Sequence, residues 1–220
     1  MTLKQILVEN KYFIVPFLIS ILGGAFFMDI FSLNDGHLFI NKYHNSFFDI
    51  FFRYITELGD GIMFGVAIVL GLFVRFRISF YSAVVGIFTL IIISFISKEL
   101  LFHDWPRPAN VFGKLGISLH YIDGVRNHMI STFPSGHSTT AFGLYTLLAL
   151  FCRKNLGKFI LVSVAILAAF SRVYLSQHFV RDAVVGSVIG FTVAILVFYY
   201  LNKFFKENTT LDKSLLNFRK

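Results

Sequence analysis

Three clusters of polar residues interrupt a chain that is otherwise strongly apolar, and their residue types could act together on a phosphate group. In chain order they are Lys98 with Arg107, the string Pro134 to His137, and Arg172 with His178 and Asp182. Arginine and lysine bind phosphate oxygens, and histidine can serve as a nucleophile or as a proton donor. The three clusters therefore predict one phosphate-handling site, provided that the fold brings them together.

The third cluster predicts the nucleophile. His178 and Asp182 are four residues apart, so a helix beginning near them would place both side chains on one face. The carboxylate would orient the imidazole and stabilise its cation, as in a catalytic triad. We therefore expect His178 to attack phosphorus and form a phosphohistidine. His137 would protonate the leaving oxygen and later, as a base, activate the water that releases phosphate.

The second cluster predicts an anion-binding site at the start of a helix. Pro134 suits the first turn of a helix. The backbone N–H groups of the three residues that follow would then have no partner within the helix. Such groups bind anions, and Gly136 allows an anion to approach the backbone closely. We therefore expect Ser135 and Gly136 to bind phosphate.

Cations from the other two clusters would complete the phosphate site. Arg107 and Arg172 can each hold two phosphate oxygens, and Lys98 adds a further positive charge. The clusters contain a single carboxylate, Asp182, which is too few for a Mg²⁺ or Zn²⁺ site. The sequence therefore predicts a reaction that uses no metal and no other cofactor, in which cationic side chains neutralise the phosphate charge.

The strings PSGH (134–137) and SRVYLSQHFVRD (171–182) resemble the second and third signatures of the type 2 phosphatidate phosphatase superfamily. The first signature departs from the usual form, because eight residues instead of six separate Lys98 from Arg107. The resemblance covers about residues 98–182. It implies a metal-independent enzyme with a six-helix membrane core, which dephosphorylates lipid phosphates or diphosphates through a histidine.

Composition and apolar runs indicate the elements that must position these clusters. Hydrophobic residues make up 56% of the 220 residues and charged residues 15%, against about 25% charged in an average soluble protein, which excludes an ordinary soluble enzyme. Six apolar stretches approach the length of a membrane span, at roughly 13–33, 61–74, 79–97, 134–152, 159–175 and 183–201. We expect an all-α polytopic membrane protein of six transmembrane helices in a single domain, 1–220. An interfacial helix is expected at 45–56, in the first outer connector.

The distribution of positive charge predicts the orientation in the membrane. More than half of the 20 Lys and Arg residues fall on the side of the termini, including the short turns 75–77 and 153–158. By the positive-inside rule both termini are cytoplasmic, and the net charge of +8 needs no nucleic acid to explain it. All three clusters then lie on the outer face, which would be the periplasmic side of a bacterial inner membrane.

The leading interpretation is a phosphohydrolase that acts on a lipid phosphate monoester or diphosphate at the outer leaflet. A phosphotransferase that passes the phosphate to a second lipid would use the same residues. A non-enzymatic anion or lipid carrier is disfavoured, because transport sites lie near the midplane of the membrane. The expected partners are the lipid phosphate and the bilayer, with no nucleic acid and no obligate protein partner. The resemblance allows undecaprenyl diphosphate, phosphatidylglycerol phosphate, phosphatidate or lipid A phosphates as substrates.

Overall fold

The computed structural model describes residues 2–217, and every regular element within them is helical. The α-helices are α1 (Leu3–Glu9), α2 (Lys11–Ile30), α3 (Leu33–Lys42), α4 (Ser46–Ile55), α5 (Ile62–Val74), α6 (Phe76–Leu90), α7 (Pro108–Lys114), α8 (Gly136–Phe151), α9 (Asn155–Tyr174) and α10 (Val180–Phe204). α6 continues directly as a π-helix over Ile91–Leu101, and 3-10 turns span Thr56–Gly59 and Thr209–Asp212. The all-α prediction is confirmed.

Within residues 2–217, four helices are long and apolar enough to cross a membrane: α2, α9, α10 and the continuous helix Phe76–Leu101. A fifth candidate is the pair Ser46–Gly59 and Ile62–Val74, which is bent by 60°. α8 occupies the fourth expected stretch but has 16 residues, so it is about 24 Å long and shorter than the ~30 Å hydrocarbon layer. The polytopic membrane architecture is confirmed, and the count of six spans stays a prediction.

α8 lies at the centre of the bundle and packs against α6, α9 and α10. The contact with α10 is close because Gly186 and Gly190 present no side chain. A Cβ at Gly190 would overlap the backbone of Thr139 and Gly143. Small residues at such crossings let membrane helices approach closely. This packing holds the start of α8 beside the start of α10, which is where the second and third clusters lie.

The helices of the first connector cover the same end of the bundle. Asn41 of α3 exchanges two hydrogen bonds with the backbone of His120, each of 3.0 Å. Asp49 of α4 accepts a hydrogen bond of 2.6 Å from the Tyr174 hydroxyl and lies 3.0 Å from Nε2 of His120. α4 confirms the helix expected at 45–56, and α3 is an additional helix that the sequence had not indicated. Together they tie the long loop after α7 to the bundle.

Candidate active site

The structure brings the three clusters together at one end of the bundle, called here the site end. The backbone N–H of Ser135 donates to the carbonyl of Asp182 at 3.0 Å, which joins the second cluster to the third. Nη1 of Arg107 donates to the carbonyl of Gln177 at 3.0 Å, which joins the first cluster to the third. One site can therefore draw on all three clusters, although they lie far apart in the sequence.

His178 is buried, and its two ring nitrogens face different groups. Nδ1 lies 3.6 Å from Oδ2 of Asp182, and Nε2 lies 3.4 Å from Nη1 of Arg107. Burial lowers the pKa of His178 to about 3, although the nearby Asp182 carboxylate opposes this shift. The imidazole is therefore neutral at physiological pH. With its Nδ1–H turned to the carboxylate, Nε2 carries the lone pair that a nucleophile requires, and Nη1 of Arg107 is placed to donate to this lone pair when no phosphate is bound.

Asp182 is held in place from two sides. Its Oδ2 accepts hydrogen bonds from Oγ1 of Thr132 at 2.6 Å and from the backbone N–H of Phe179 at 2.9 Å. The expectation that His178 and Asp182 share a helix face is wrong, because α10 begins at Val180 and His178 precedes it. The two residues pair because Asp182, in the first turn of α10, reaches back over the start of the helix.

The start of α8 differs from expectation in two respects. The helix begins at Gly136 with Ser135 as its N-cap, so Pro134 precedes the first turn and does not belong to it. The N–H of Ser135 is not free for phosphate, because it donates to a backbone carbonyl of α10, and its Oγ accepts from the N–H of Ser138 at 3.3 Å. The N–H groups of Gly136 and His137 have no partner within residues 2–217. Two of the three expected anion donors are therefore available.

Arg172 is buried with unused hydrogen-bonding capacity. Its Nη1 donates to Oγ1 of Thr56 at 2.8 Å, and its Nη2 reaches Oε1 of Gln177 at 3.5 Å. Its Nε is buried and has no partner in the described part of the chain. A buried donor without a partner is costly, so this guanidinium is suited to an anion that would satisfy it.

Arg107 is more fully engaged than expected. Its Nε donates to the carbonyl of Ile130 at 2.8 Å and its Nη2 to that of Ser131 at 3.3 Å, in addition to the bond from Nη1 to Gln177. Bidentate binding of phosphate by Arg107 is thus only partly possible, because these carbonyls already accept from its donors. The same contacts connect the 130–131 segment to the loop that carries His178.

Lys98 reaches the site despite its longer spacing from Arg107. Its Nζ lies 3.8 Å from the position that a Cβ would take on Gly136. Lys98, Gly136 and His137 line one end of a cavity of about 570 Å³ between α5, α6 and α8. Most of the rest of its wall is apolar, with side chains such as Phe64 and Ile87, and hydroxyl side chains such as Ser82 complete it. The cavity therefore joins a cationic end to an apolar channel.

Sequence reasoning missed the residues that support the His178 loop. Nε2 of His37 lies 3.1 Å from Oγ of Ser176, and Nδ2 of Asn41 donates to the same hydroxyl at 3.2 Å. Burial lowers the pKa of His37 to about 4, so this ring is neutral as well. Because 139 positions separate His37 from Ser176, no local spacing could have revealed the contact.

Two further polar residues beside the histidines were missed. Thr132 places its hydroxyl against Asp182 and 3.4 Å from Nδ1 of His178. Asp60 places its Oδ2 3.6 Å from Nε2 of His137. A single threonine in a long loop and a single aspartate between two glycines carry no pattern that marks them as part of a site.

Comparison with known proteins matches this chain to a family model and to two named phosphatases. A family model described as the PAP2 superfamily matches residues 79–206. Over 82 residues the chain is 39% identical to Phosphatidylglycerophosphatase B of Bacillus subtilis, a match that covers 33% of this chain and 38% of the relative. Over 84 residues it is 31% identical to Lipid A 4'-phosphatase of Bacteroides thetaiotaomicron, covering 38% and 37%. The matches thus span less than two-fifths of each curated relative.

Two crystal structures share the fold. LpxE of Aquifex aeolicus superposes with a TM-score of 0.62 at 24% identity, covering 74% of this chain and 93% of that one. The first transmembrane PAP2 type phosphatidylglycerolphosphate phosphatase from Bacillus subtilis superposes with a TM-score of 0.55 at 20% identity, covering 89% and 96%. At these identities the likeness establishes the fold.

Proposed function

The chain belongs to the PAP2 superfamily, and we propose that it is an integral-membrane phosphatase that removes phosphate from a lipid phosphate monoester or diphosphate. Membership confirms the resemblance identified from the two sequence motifs. The observation that carries the proposal is the buried, neutral His178, which pairs with Asp182 and lies within electrostatic reach of Arg107 and Arg172. A neutral nucleophile among cations is what attack on a phosphate dianion requires.

The reaction proceeds in two steps. Nε2 of His178 attacks phosphorus, the bond from phosphorus to the lipid oxygen breaks, and His137 gives its proton to that oxygen. Asp182 stabilises the charge that develops on the phosphorylated imidazole. Water then attacks the phosphohistidine, His137 takes a proton from that water, and the bond from phosphorus to nitrogen breaks. Inorganic phosphate leaves, and both histidines return to their starting states.

Cations stabilise the charge on the transferring phosphate. The guanidinium of Arg172, with its unpartnered Nε, and the ammonium of Lys98 would bind its oxygens together with the N–H groups at the start of α8. Arg107 contributes charge, and its bonds to carbonyls position the His178 loop. The lipid chain would lie in the apolar cavity between α5, α6 and α8, with its phosphate at the Lys98 end.

A phosphate-release assay on the purified protein tests the function. The panel is phosphatidylglycerol phosphate, undecaprenyl diphosphate, phosphatidate and lipid A, and it includes the substrate classes named by the two curated relatives. Release from at least one lipid alone supports the hydrolase. Turnover that depends on a second acceptor lipid would indicate the phosphotransferase, which uses the same residues. Binding without turnover of any lipid would indicate a carrier and contradict the proposal.

Chelation of metals should leave the activity intact. Within residues 2–217 no group of three or more His, Cys, Asp or Glu side chains is arranged to hold a metal ion, and the proposed chemistry uses cationic side chains instead. We expect phosphate release to persist in EDTA and to be inhibited by vanadate, which mimics five-coordinate phosphorus. Loss of activity in EDTA that added Mg²⁺ or Zn²⁺ restores, with the substrate micelles unchanged, would contradict the metal-free mechanism.

We also propose that the site faces the periplasm of a bacterial inner membrane. The end of the bundle opposite the site is rich in cations, and a polar cavity there is lined by Arg75, Arg77, Arg153, Lys158, Lys203 and Lys206. The positive-inside rule assigns that end to the cytoplasm. Arg219 and Lys220, which the sequence placed on the same side, lie outside the described residues.

Cysteine labelling in cells tests the orientation. Lys114 and Lys154 are both exposed and lie on opposite sides in the proposed topology, and the native thiol is removed by Cys152→Ser. An impermeant maleimide should label a cysteine at position 114 in cells whose outer membrane is permeabilised. It should label a cysteine at position 154 only after lysis. The reverse pattern would invert the topology and the leaflet that supplies the substrate.

A further inference from the structure

The 3-10 turn before α5 brings a carboxylate to His137. A Cβ at Gly59 would lie 3.1 Å from the carbonyl oxygen of His137 and 3.4 Å from its Cβ, so any larger residue would press the turn away from α8. Asp60 follows directly, and its Oδ2 lies 3.6 Å from Nε2 of His137. In the described part of the chain, Asp60 is the carboxylate that pairs with His137.

Within the described residues, the charged side chains that act on His137 from the site end are mainly cations. Lys98 lines the same end of the cavity as His137. Arg172 donates a hydrogen bond to Thr56, which belongs to the 3-10 turn that packs on α8 beside His137. Positive neighbours oppose a positive charge on the imidazole. A group that protonates a leaving oxygen must nevertheless carry its proton before the reaction. A carboxylate at ion-pair distance favours the imidazolium, so Asp60 is placed to counter these cations once a bound phosphate offsets part of their charge.

We propose that Asp60 is the positioning residue of His137 and completes a second histidine–carboxylate pair beside His178 and Asp182. This inference rests on the proposed function and deepens it. With Nε2 of His137 turned to Asp60, Nδ1 is the nitrogen left to face the leaving oxygen. The proton moves from Nδ1 to that oxygen as its bond to phosphorus breaks and phosphorus bonds to His178. Asp60 takes no proton in this step.

Asp60 also has a structural contact that a suitable variant preserves. Its Oδ1 accepts a hydrogen bond of 2.9 Å from the backbone N–H of Ile62 at the start of α5. Asparagine has the same shape and offers the same acceptor at a helix start, but it carries no charge. Asp60→Asn therefore separates the proposed electrostatic role from the capping role.

The dependence on the leaving group distinguishes the two roles. We compare an alkyl phosphate with a phenyl phosphate that carries the same alkyl chain, and measure kcat/KM, which reports the transfer to His178. An alkoxide needs a proton to leave, whereas a phenoxide leaves with little assistance. Asp60→Asn should lower kcat/KM for the alkyl ester by about 10- to 100-fold, within the range of general acid catalysis, and for the phenyl ester by less than about threefold.

Glu57→Gln is the matched control, because it removes one negative charge from the same turn, and Glu57 is exposed and does not pair with His137. It should leave the ratio between the two esters unchanged. Equal losses on both esters, or no loss on either, would overturn the role of Asp60 while leaving the lipid phosphatase intact. A wild-type protein that releases phosphate from neither ester nor any lipid of the panel would instead refute the proposed function, and the role of Asp60 with it.

Discussion

Replacing His178 by alanine should lower phosphate release by on the order of 10⁴-fold or more, because it removes the nitrogen that attacks phosphorus. The protein should remain folded, since the Asp182 carboxylate keeps its hydrogen bonds to Thr132 and Phe179. Asp182→Asn should be impaired but less completely, because the nucleophile remains while its orientation and charge stabilisation are weakened. Phosphate release and thermal unfolding in detergent measure the two effects separately.

His103→Ala is the matched control for His178. His103 lies on the same side of the bundle, but its side chain is half exposed, and in the part of the chain that the structure describes it pairs only with the neighbouring Asp104, at 2.9 Å. It should retain nearly full activity. If His178→Ala kept substantial activity while folding normally, another group would have to form the covalent intermediate, and the two-step mechanism would be wrong.

Replacing Arg172 by lysine should lower kcat/KM by on the order of 10²- to 10³-fold, although the charge is kept. Lysine cannot reproduce the planar fork that reaches Thr56 and Gln177 while leaving Nε for the ligand. The oxygens of Thr56 and Gln177 would also lose their donor. Inhibition by vanadate should weaken in parallel, because the same donors bind the five-coordinate phosphorus. Steady-state kinetics with the best lipid of the panel, and vanadate titration, provide the measurement.

Arg126→Lys is the corresponding control. Arg126 lies in the loop over the site end, and within the described residues it makes no hydrogen bond or ion pair. Its replacement should change kcat/KM by no more than a few-fold. A loss for Arg172→Lys that did not exceed the loss for Arg126→Lys would show that Arg172 acts only through the general positive charge of this face.

The two motifs could be identified from the sequence because the residues within each motif are close along the chain. His178 and Asp182 are four positions apart, and the PSGH string is continuous, so spacing alone predicted a helix start at each motif. The sequence did not predict the local structure that makes these spacings work. The pair of His178 and Asp182 depends on a loop that precedes α10, and Ser135 turned out to be a cap bonded to α10. Both outcomes require the packing of α8 on α10, which no local pattern contains.

The supporting residues could not be predicted, for a related reason. Each of them contacts a distant partner: Asp60 lies 77 positions before His137, Thr132 lies 50 positions before Asp182, and His37 lies 139 positions before Ser176. Each is a single polar residue without a repeated spacing. The lengths of the apolar stretches predicted the long helices well, but the length of α8 was overestimated because its flanking residues Pro134, Ser135 and Cys152 were counted as part of the apolar stretch.

Identification of the phosphorylated residue is the most direct test of the central claim. The variant His137→Ala should still form the covalent intermediate from a phenyl phosphate, because the phenoxide leaves without a proton. The variant should lose the base that activates water for hydrolysis of the phosphohistidine. The phosphoenzyme should therefore accumulate. Peptide mass spectrometry, under alkaline conditions that preserve phosphohistidine, should find the phosphate on His178. Phosphate on any other residue, or no phosphoenzyme although the wild-type protein turns over the same ester, would contradict the account.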